Sequence, residues 1–291
     1  MKGILMAGGS GSRLRPMTLA VNKHLLAVHD WPMIFYPLSA MMQAGVRDIA
    51  LITSAQDAPA FQRLLGEGSG LGLRLTLLIQ DRPAGIAQAY SLAEPMLAGQ
   101  PSMLMLGDNL LWGPTWLNRL REAMATPEGA TLFCVHRNQP QRFAVLETDA
   151  QGNALRLHEK PLRTDSTLAV CGLYLCDGRA ASMANLLQPS ARGELEMTDL
   201  LNEYQSKGSL RWTLLGPENY WDDAGTLESL KRCNAAAAQA AAQSPSPLYS
   251  PHEVALRQGW IGPQTLRLQA ALMTESPYAL HLLELARKGS H

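Results

Sequence analysis

Four short apolar runs, "KGILM", "DIALIT", "RLTLLI" and "SMLML", punctuate the first part of the chain, and helix-like segments separate them. Strands that are apolar throughout, rather than on alternate residues, are buried on both faces. That happens in parallel sheets whose crossover helices cover both sides. The segments "WPMIFYPLSAMMQAG" (ended by Gly45), "PAFQRLLGEG" and "GIAQAYSLAEPML" supply such helices. The alternation therefore predicts an α/β fold around a mostly parallel sheet.

The pattern changes after "SMLMLGDN". "FAVLETDAQGNALRLHEKP" reads as two strands around a Gly-Asn turn, followed by strands at "LAVCGLYLCD" and "LRWTLLG". "GELEMTDLLNEYQSKG" reads as a helix opening on acids and closing on Lys207 and Gly208, in the sense of the helix dipole. From Thr226 the chain is expected to be helical except at the turn-rich "SPSPLYSP". The run "NAAAAQAAAQ" is a strong helix former and continues the helix rather than forming a linker. There is no internal repeat.

Composition excludes several function classes. The chain has 291 residues, 46% hydrophobic and 17% charged, with 25 basic and 25 acidic side chains. A balanced charge gives no global field for nucleic acid or an anionic membrane. The four cysteines lack CxxC pairing or histidines at zinc spacing, which predicts buried free thiols in a reducing cytosol. No stretch approaches the ~20 apolar residues of a membrane span. The opening residues have no charged segment leading into an apolar one, so no signal peptide is expected. The expected setting is cytoplasmic, with no nucleic-acid or membrane partner.

Behind the first strand lies "MAGGSGSRL". A Walker A loop would need a lysine directly after its glycines. A dinucleotide fingerprint would need a third glycine where Leu14 stands, and an acid about 20 residues on. Neither condition is met. What remains is a glycine-serine turn whose amides can form an anion nest, with Arg13 offering a planar fork to phosphate oxygens. Lys23, in "NKHLL", is a second cation within reach. By itself the loop reads equally as an ordinary strand-to-helix turn carrying two solvated cations.

Taken together and in order, the loop, "NKHLL", "LGDN", "HEKP" and "WDDAGT" resemble the sugar-1-phosphate nucleotidyltransferases. The resemblance is nearest to the bacterial glucose-1-phosphate thymidylyltransferases. It extends through "PMIFYPLSAMMQAGVRDI", "QPSARGELEMTDL" and "PHEVALRQGWI". It implies a Rossmann-like three-layer sandwich with an inserted β-rich sugar-binding part and C-terminal helices. The implied division is a catalytic domain over 1–226 (nucleotide half about 1–110, sugar half about 111–226) and a helical region over 227–291. That region would serve assembly into a homotetramer, a dimer of dimers, and regulation.

The implied reaction is in-line attack of a sugar phosphate on the α-phosphorus of dTTP, with magnesium as cofactor. Such chemistry needs cations and oriented amides more than a proton-transferring base. The resemblance implies that Gly8, Gly9 and Gly11 meet the nucleotide, that Arg13 neutralises the triphosphate, and that Lys23 lies near the α-phosphate. Gln80 and Gly85 would contact the base; a carboxamide can pair with the O4/N3 edge of thymine or uracil. Asp108 and Asp223 would hold the metal, while strand alternation turns Asp222 the other way. Glu159, Lys160, Ala144, Gly172, Arg192 and Trp221 would form the sugar-phosphate side, and Glu194 a first-turn partner of the helix dipole.

The chain departs from the family pattern at His24, Ala27, Phe143, Ala144, Cys171 and Ala224, several of them at the expected sugar pocket. UTP in place of dTTP, or an amino- or deoxy-sugar 1-phosphate, is the alternative substrate reading. A weakly active nucleotide-binding regulatory paralogue is the alternative of a different class.

Overall fold

The computed structural model describes residues 1–243 and 250–288. The chain begins in the middle of its sheet with β1 (Lys2–Met6) and passes through a loop to two short strands, β2 (Ala27–Val28) and β3 (Trp31–Pro32). Next come α1 (Phe35–Gln43), β4 (Asp48–Thr53), α2 (Ala58–Leu65), β5 (Arg74–Ile79), α3 (Gln88–Leu97) and β6 (Ser102–Leu106). β1 pairs in parallel with β4 and β6, and β4 with β5, so the four apolar runs form one parallel block. Helix α1 starts four residues later than its periodicity suggests, because Trp31 and Pro32 pair with Ala27 and Val28. It ends as expected, with Gly45 at φ 86° and its N–H bonded to the Met42 carbonyl.

The second half adds β7 (Asn109–Trp112), α4 (Trp116–Met124), β8 (Ala130–His136), β9 (Ala144–Thr148), β10 (Ala154–Glu159) and β11 (Leu168–Cys176). It closes with α5 (Ala180–Ala184), α6 (Met197–Ser206), β12 (Leu210–Leu214) and β13 (Tyr220–Asp223). The main sheet has nine strands along the path β10-β9-β11-β6-β1-β4-β5, with β8 beside β11 and β12 beside β8. Only β10 and β11 run against the others, so the sheet is mostly parallel. Strand β13 leaves that sheet and pairs antiparallel with β7, which sets Asp223 opposite Asn109. Helix α6 begins at Met197, so Glu194 lies before its first turn and only Asp199 falls within it.

Successive residues of a strand face opposite sides. Ile4 and Leu5, both fully buried, accordingly enter two different apolar clusters, one on each face of the sheet. Helices α7 (Leu227–Gln243), α8 (Pro251–Arg257), α9 (Pro263–Met273) and α10 (Pro277–Lys288) complete the described chain. The alanine-rich run is indeed the end of α7, while residues 244–249 of "SPSPLYSP" lie outside the described residues. The C-terminal helices dock through Tyr278, whose ring meets Trp31 edge-on at 4.7 Å and whose hydroxyl lies 2.9 Å from Ser250 Oγ and from His252 Nδ1. Among the described residues no helix is long and apolar enough to cross a membrane. All four cysteines are buried and free, and burial raises each thiol.

Phe133 on β8 is fully buried in one of the two clusters. Phe133→Ala is expected to cost about 3–5 kcal/mol through lost burial and a residual cavity. In urea denaturation this appears as a lower midpoint with an unchanged slope.

Candidate active site

In open α/β sheets ligands bind in the crevice beyond the carboxyl ends of the strands. Here the glycine loop follows β1, Gln80 follows β5 and Asp108 follows β6, so three chain-distant segments meet along one edge. Two cavities open there, and the loop divides them.

The first, about 340 Å³, is lined by Gly8, Gly9 and Ser10 together with Asn22, Asp57 and Gln80, among others. A Cβ at Gly8 would sit 2.6 Å from Gln80 Oε1, so any larger residue there would push on the Gln80 carboxamide. Gly9 takes φ 94°, which favours glycine, and keeps the loop backbone open to the cavity. The Gln80 carboxamide donates through Nε2 to Gln88 Oε1 at 2.7 Å, and Gln88 also accepts from the Ala84 N–H.

The second cavity, about 140 Å³, is lined by Arg13, Asp108, Arg142, Ala144, Glu159, Lys160, Gly172, Trp221 and Asp223, with others. Lys23 Nζ reaches Asp108 Oδ2 at 2.5 Å, and Asn109 Nδ2 donates to Asp108 Oδ1 at 3.0 Å. Burial alone would raise the Asp108 carboxyl. The Lys23 charge and these bonds outweigh it and hold the group well below the usual carboxylate range. Under this pair lies His24, which burial, reinforced by the Lys23 charge, pushes down to about 3, leaving it neutral.

Asp223 is treated oppositely. Burial, and then the negative charges of Asp108 and Asp222, raise its carboxyl, while Arg13 and Arg142 act in the other direction. Its Oδ1 is buried with no hydrogen-bond partner. Asp222 faces away, as alternation requires, and takes a two-pronged contact from Arg232 at 2.9 and 3.0 Å. Two neighbouring carboxylates, one with an orphaned buried oxygen, suit a hard divalent cation. Among the described residues no group of three or more acids, histidines or cysteines is placed so that it could hold a metal ion. The protein would thus offer two carboxylates and leave other positions to water or phosphate oxygens, the ligation magnesium favours.

One side chain ties the cavity walls together. Asn109 Oδ1 accepts from the Gly172 N–H at 3.0 Å and from the Trp221 indole N–H at 2.8 Å, while its Nδ2 holds Asp108. Gly172 lies where β11 is irregular against β8 between Val170 and Tyr174. A Cβ there would meet Leu106 Cδ1 at 2.6 Å and Asn109 Cγ at 2.8 Å, so packing demands glycine as well as the open cavity. Trp221 is further fixed by Arg137, which lies 5.0 Å over its ring and donates to its carbonyl, and by the Phe143 ring edge at 5.1 Å.

Lys160 adopts φ 41°, a strained conformation for a residue with a side chain, and its N–H bonds the Phe143 carbonyl at 3.2 Å. Its ammonium lies 3.3 Å from Glu159. Arg192 lines neither cavity. It spans Glu159 (3.2 Å), Glu194 (3.1 Å) and Glu196 (3.5 Å), so Glu194 is a partner of this arginine rather than of the helix dipole.

Of the residues singled out from sequence, Gly8, Gly9 and Gln80 line the first cavity. Arg13, Asp108, Ala144, Glu159, Lys160, Gly172, Trp221 and Asp223 line the second. Lys23 joins them through Asp108. Gly11 and Gly85 line neither: Gly11 packs on Thr18 and Lys23, and Gly85, at φ 103°, lies against the Leu195 backbone. Sequence reasoning missed Asn109 and Arg142. Their only local signals are their places in "LGDN" and "RFA".

A mostly parallel α/β sheet carries, at its carboxyl edge, a glycine-walled cavity next to one rich in paired acids and cations. The chain belongs to the nucleotidyl transferase family, whose profile matches residues 2–240. It is 44% identical to a glucose-1-phosphate thymidylyltransferase of Neisseria gonorrhoeae over 99% of this chain and all of that one. It is 42% identical to one from Xanthomonas campestris over 99% and 98% of the two chains. Among solved structures, a Bacillus anthracis protein provisionally designated a glucose-1-phosphate thymidylyltransferase, in complex with sucrose, superposes with a TM-score of 0.76 at 38% identity. That match covers 81% of this chain and 94% of the other.

The opposite electrostatics of the two aspartates have opposite consequences for stability. Asp223, raised in the folded state, costs stability when ionised at neutral pH, and the cost fades as the pH falls through the carboxylate range. Asp108, depressed, contributes stability above its unfolded value and loses it as the pH falls through the folded one. Thermal scans at neutral pH should therefore show Asp223→Asn melting above the parent and Asp108→Asn below it.

Proposed function

We propose that this protein transfers a thymidylyl group from dTTP to glucose 1-phosphate, forming dTDP-glucose and releasing pyrophosphate. A phosphate oxygen of the sugar phosphate attacks the α-phosphorus, the α–β bridging P–O bond breaks, and its electron pair leaves with pyrophosphate. The observation that carries this reading is the pair of cavities on either side of the Gly8–Arg13 loop, with Asp108 between the acid-rich cavity and Lys23. Relatives of that name, aligned over nearly the whole chain, support it.

On this reading the amides of Gly8, Gly9 and Gly11 and the Gln80 carboxamide hold the nucleotide, with Gln80 facing the thymine edge and Gly85 shaping the loop beyond it. Arg13 neutralises the triphosphate as charge builds on the leaving group. Lys23, paired with Asp108, would turn its ammonium toward the reacting phosphates. Lys160 and Arg192 serve the sugar phosphate, Glu159 accepts sugar hydroxyls, and Trp221, Gly172 and Ala144 shape the pocket. A divalent metal, expected to be Mg2+, would be held by Asp108 and Asp223 and would neutralise phosphate oxygens when bound.

The Ala144 methyl occupies pocket wall, and one methyl in a close-fitting site is worth roughly 1–3 kcal/mol of discrimination. It therefore tunes the choice of sugar more than it limits turnover. Residues 1–226 form the catalytic unit, and 227–291 serve assembly, as a homotetramer. The buried free thiols fit a reducing, cytoplasmic setting.

Pyrophosphate release from dTTP and glucose 1-phosphate is the direct test, run beside UTP and amino- and deoxy-sugar 1-phosphates. Asp108→Asn is expected to lower kcat/KM by about 100-fold or more. A faster reaction with another pair would reassign the substrates, and unchanged turnover in the variant would remove Asp108 from the site.

A further inference from the structure

We infer that Arg142 is a substrate-binding residue, whose guanidinium receives the phosphate of the sugar 1-phosphate as it enters the cavity beside Asp223. The inference rests on the reaction proposed above and adds to it a cation that the sequence reading gave no role.

Arg142 closes a 3-10 turn, Pro140–Arg142, in which the Phe143 N–H bonds the Pro140 carbonyl at 2.9 Å. The next two residues are walls of the sugar-side cavity: Phe143 packs edge-on against Trp221, and Ala144 pairs with Glu159 across the β9–β10 hairpin. The turn is thus held by the same elements that shape that cavity. Arg142 is exposed and, like Phe143 and Trp221, lines both this cavity and a neighbouring one of about 550 Å³.

The surrounding cations are engaged. Lys23 is bound to Asp108, Lys160 to Glu159, and Arg192 to three glutamates. Arg232 is bound to Asp222 and Glu228, and Arg137 to the Trp221 carbonyl. Arg142 and Arg13 make no hydrogen bond or ion pair with any described residue, although the charges of both act on Asp223. The cavity carries Asp108, Glu159 and Asp223, which repel an incoming phosphate unless an uncommitted cation meets it. Arg13 lies on the loop that borders the nucleotide and is assigned to the triphosphate. Arg142 comes instead from the turn that leads into the Phe143–Ala144 wall and lines that cavity and its neighbour but not the glycine-walled one, and a guanidinium fork matches two phosphate oxygens at once.

The test is steady-state kinetics of Arg142→Gln and Arg142→Lys, varying each substrate in turn. Arg142 is exposed, so both variants are expected to melt close to the parent. Arg142→Gln should raise KM for glucose 1-phosphate about tenfold or more and leave KM for dTTP within about twofold. Arg142→Lys should fall between Arg142→Gln and the parent. In the reverse direction KM for pyrophosphate should not move; a rise there, or in KM for dTTP alone, assigns the side chain to the triphosphate and overturns the inference. Unchanged KM for the sugar phosphate also overturns it. Parent turnover is read separately. If the parent uses another sugar 1-phosphate, the same split is expected with that sugar. A flat response there rejects the role of Arg142 while leaving the reaction class intact.

Discussion

The carboxamide of Asn109 is the contact on which the site depends. It is buried, and three partners from three segments converge on it: the Asp108 carboxylate, the Gly172 amide and the Trp221 indole. A buried polar group without partners is costly, whereas a satisfied one admits a single arrangement of its neighbours. Asn109 therefore couples the end of β6 to the irregular point of β11 and to the ribbon formed by β7 and β13. The register of that ribbon, with Asp223 across from Asn109, puts two acids from distant parts of the chain into one cavity.

Bringing those acids together loads the site electrostatically, and the two are compensated differently. Asp108 has Lys23 in contact and ionises readily, while Asp223 has no hydrogen-bond donor on its inner oxygen and is only partly offset by Arg13 and Arg142. A structure selected only for stability would neutralise Asp223 or replace it. On the proposed function, the unsatisfied Asp223 and the unpaired Arg13 and Arg142 are the groups left to meet a cation and phosphate oxygens. The strained backbone at Lys160 belongs with these features, since such conformations persist where the surroundings over-determine them.

Much of the architecture was legible in advance. The apolar runs became parallel strands, the Gly-Asn turn became the β9–β10 hairpin, and the alanine run extended α7, because each depends on local periodicity and propensity. The start of α1 was misjudged because pairing at Trp31–Pro32 overrides helical periodicity. Motif reading found the residues of the cavities but not how they are engaged. Nothing local in "SARGELE" says that Arg192 bridges three carboxylates, and nothing in "RPAG" says that Gly85 packs on the Leu195 backbone. Asn109 and Arg142 lie within "LGDN" and "RFA" but were passed over because a motif position does not show what its side chain touches.

Although β7, α4, β8 and β13 went unread, the sequence by itself determined the four parallel strands with their intervening helices, the glycine loop behind β1 and the inventory of acids and cations available for phosphate chemistry. These follow from side-chain periodicity, backbone freedom and charge, which act over a few residues. Only the tertiary structure decided which of those charges are spent on one another and which are left free. Pairing depends on distances between segments far apart in the chain, and those distances are set by sheet register and by the partners of a few buried polar groups such as Asn109.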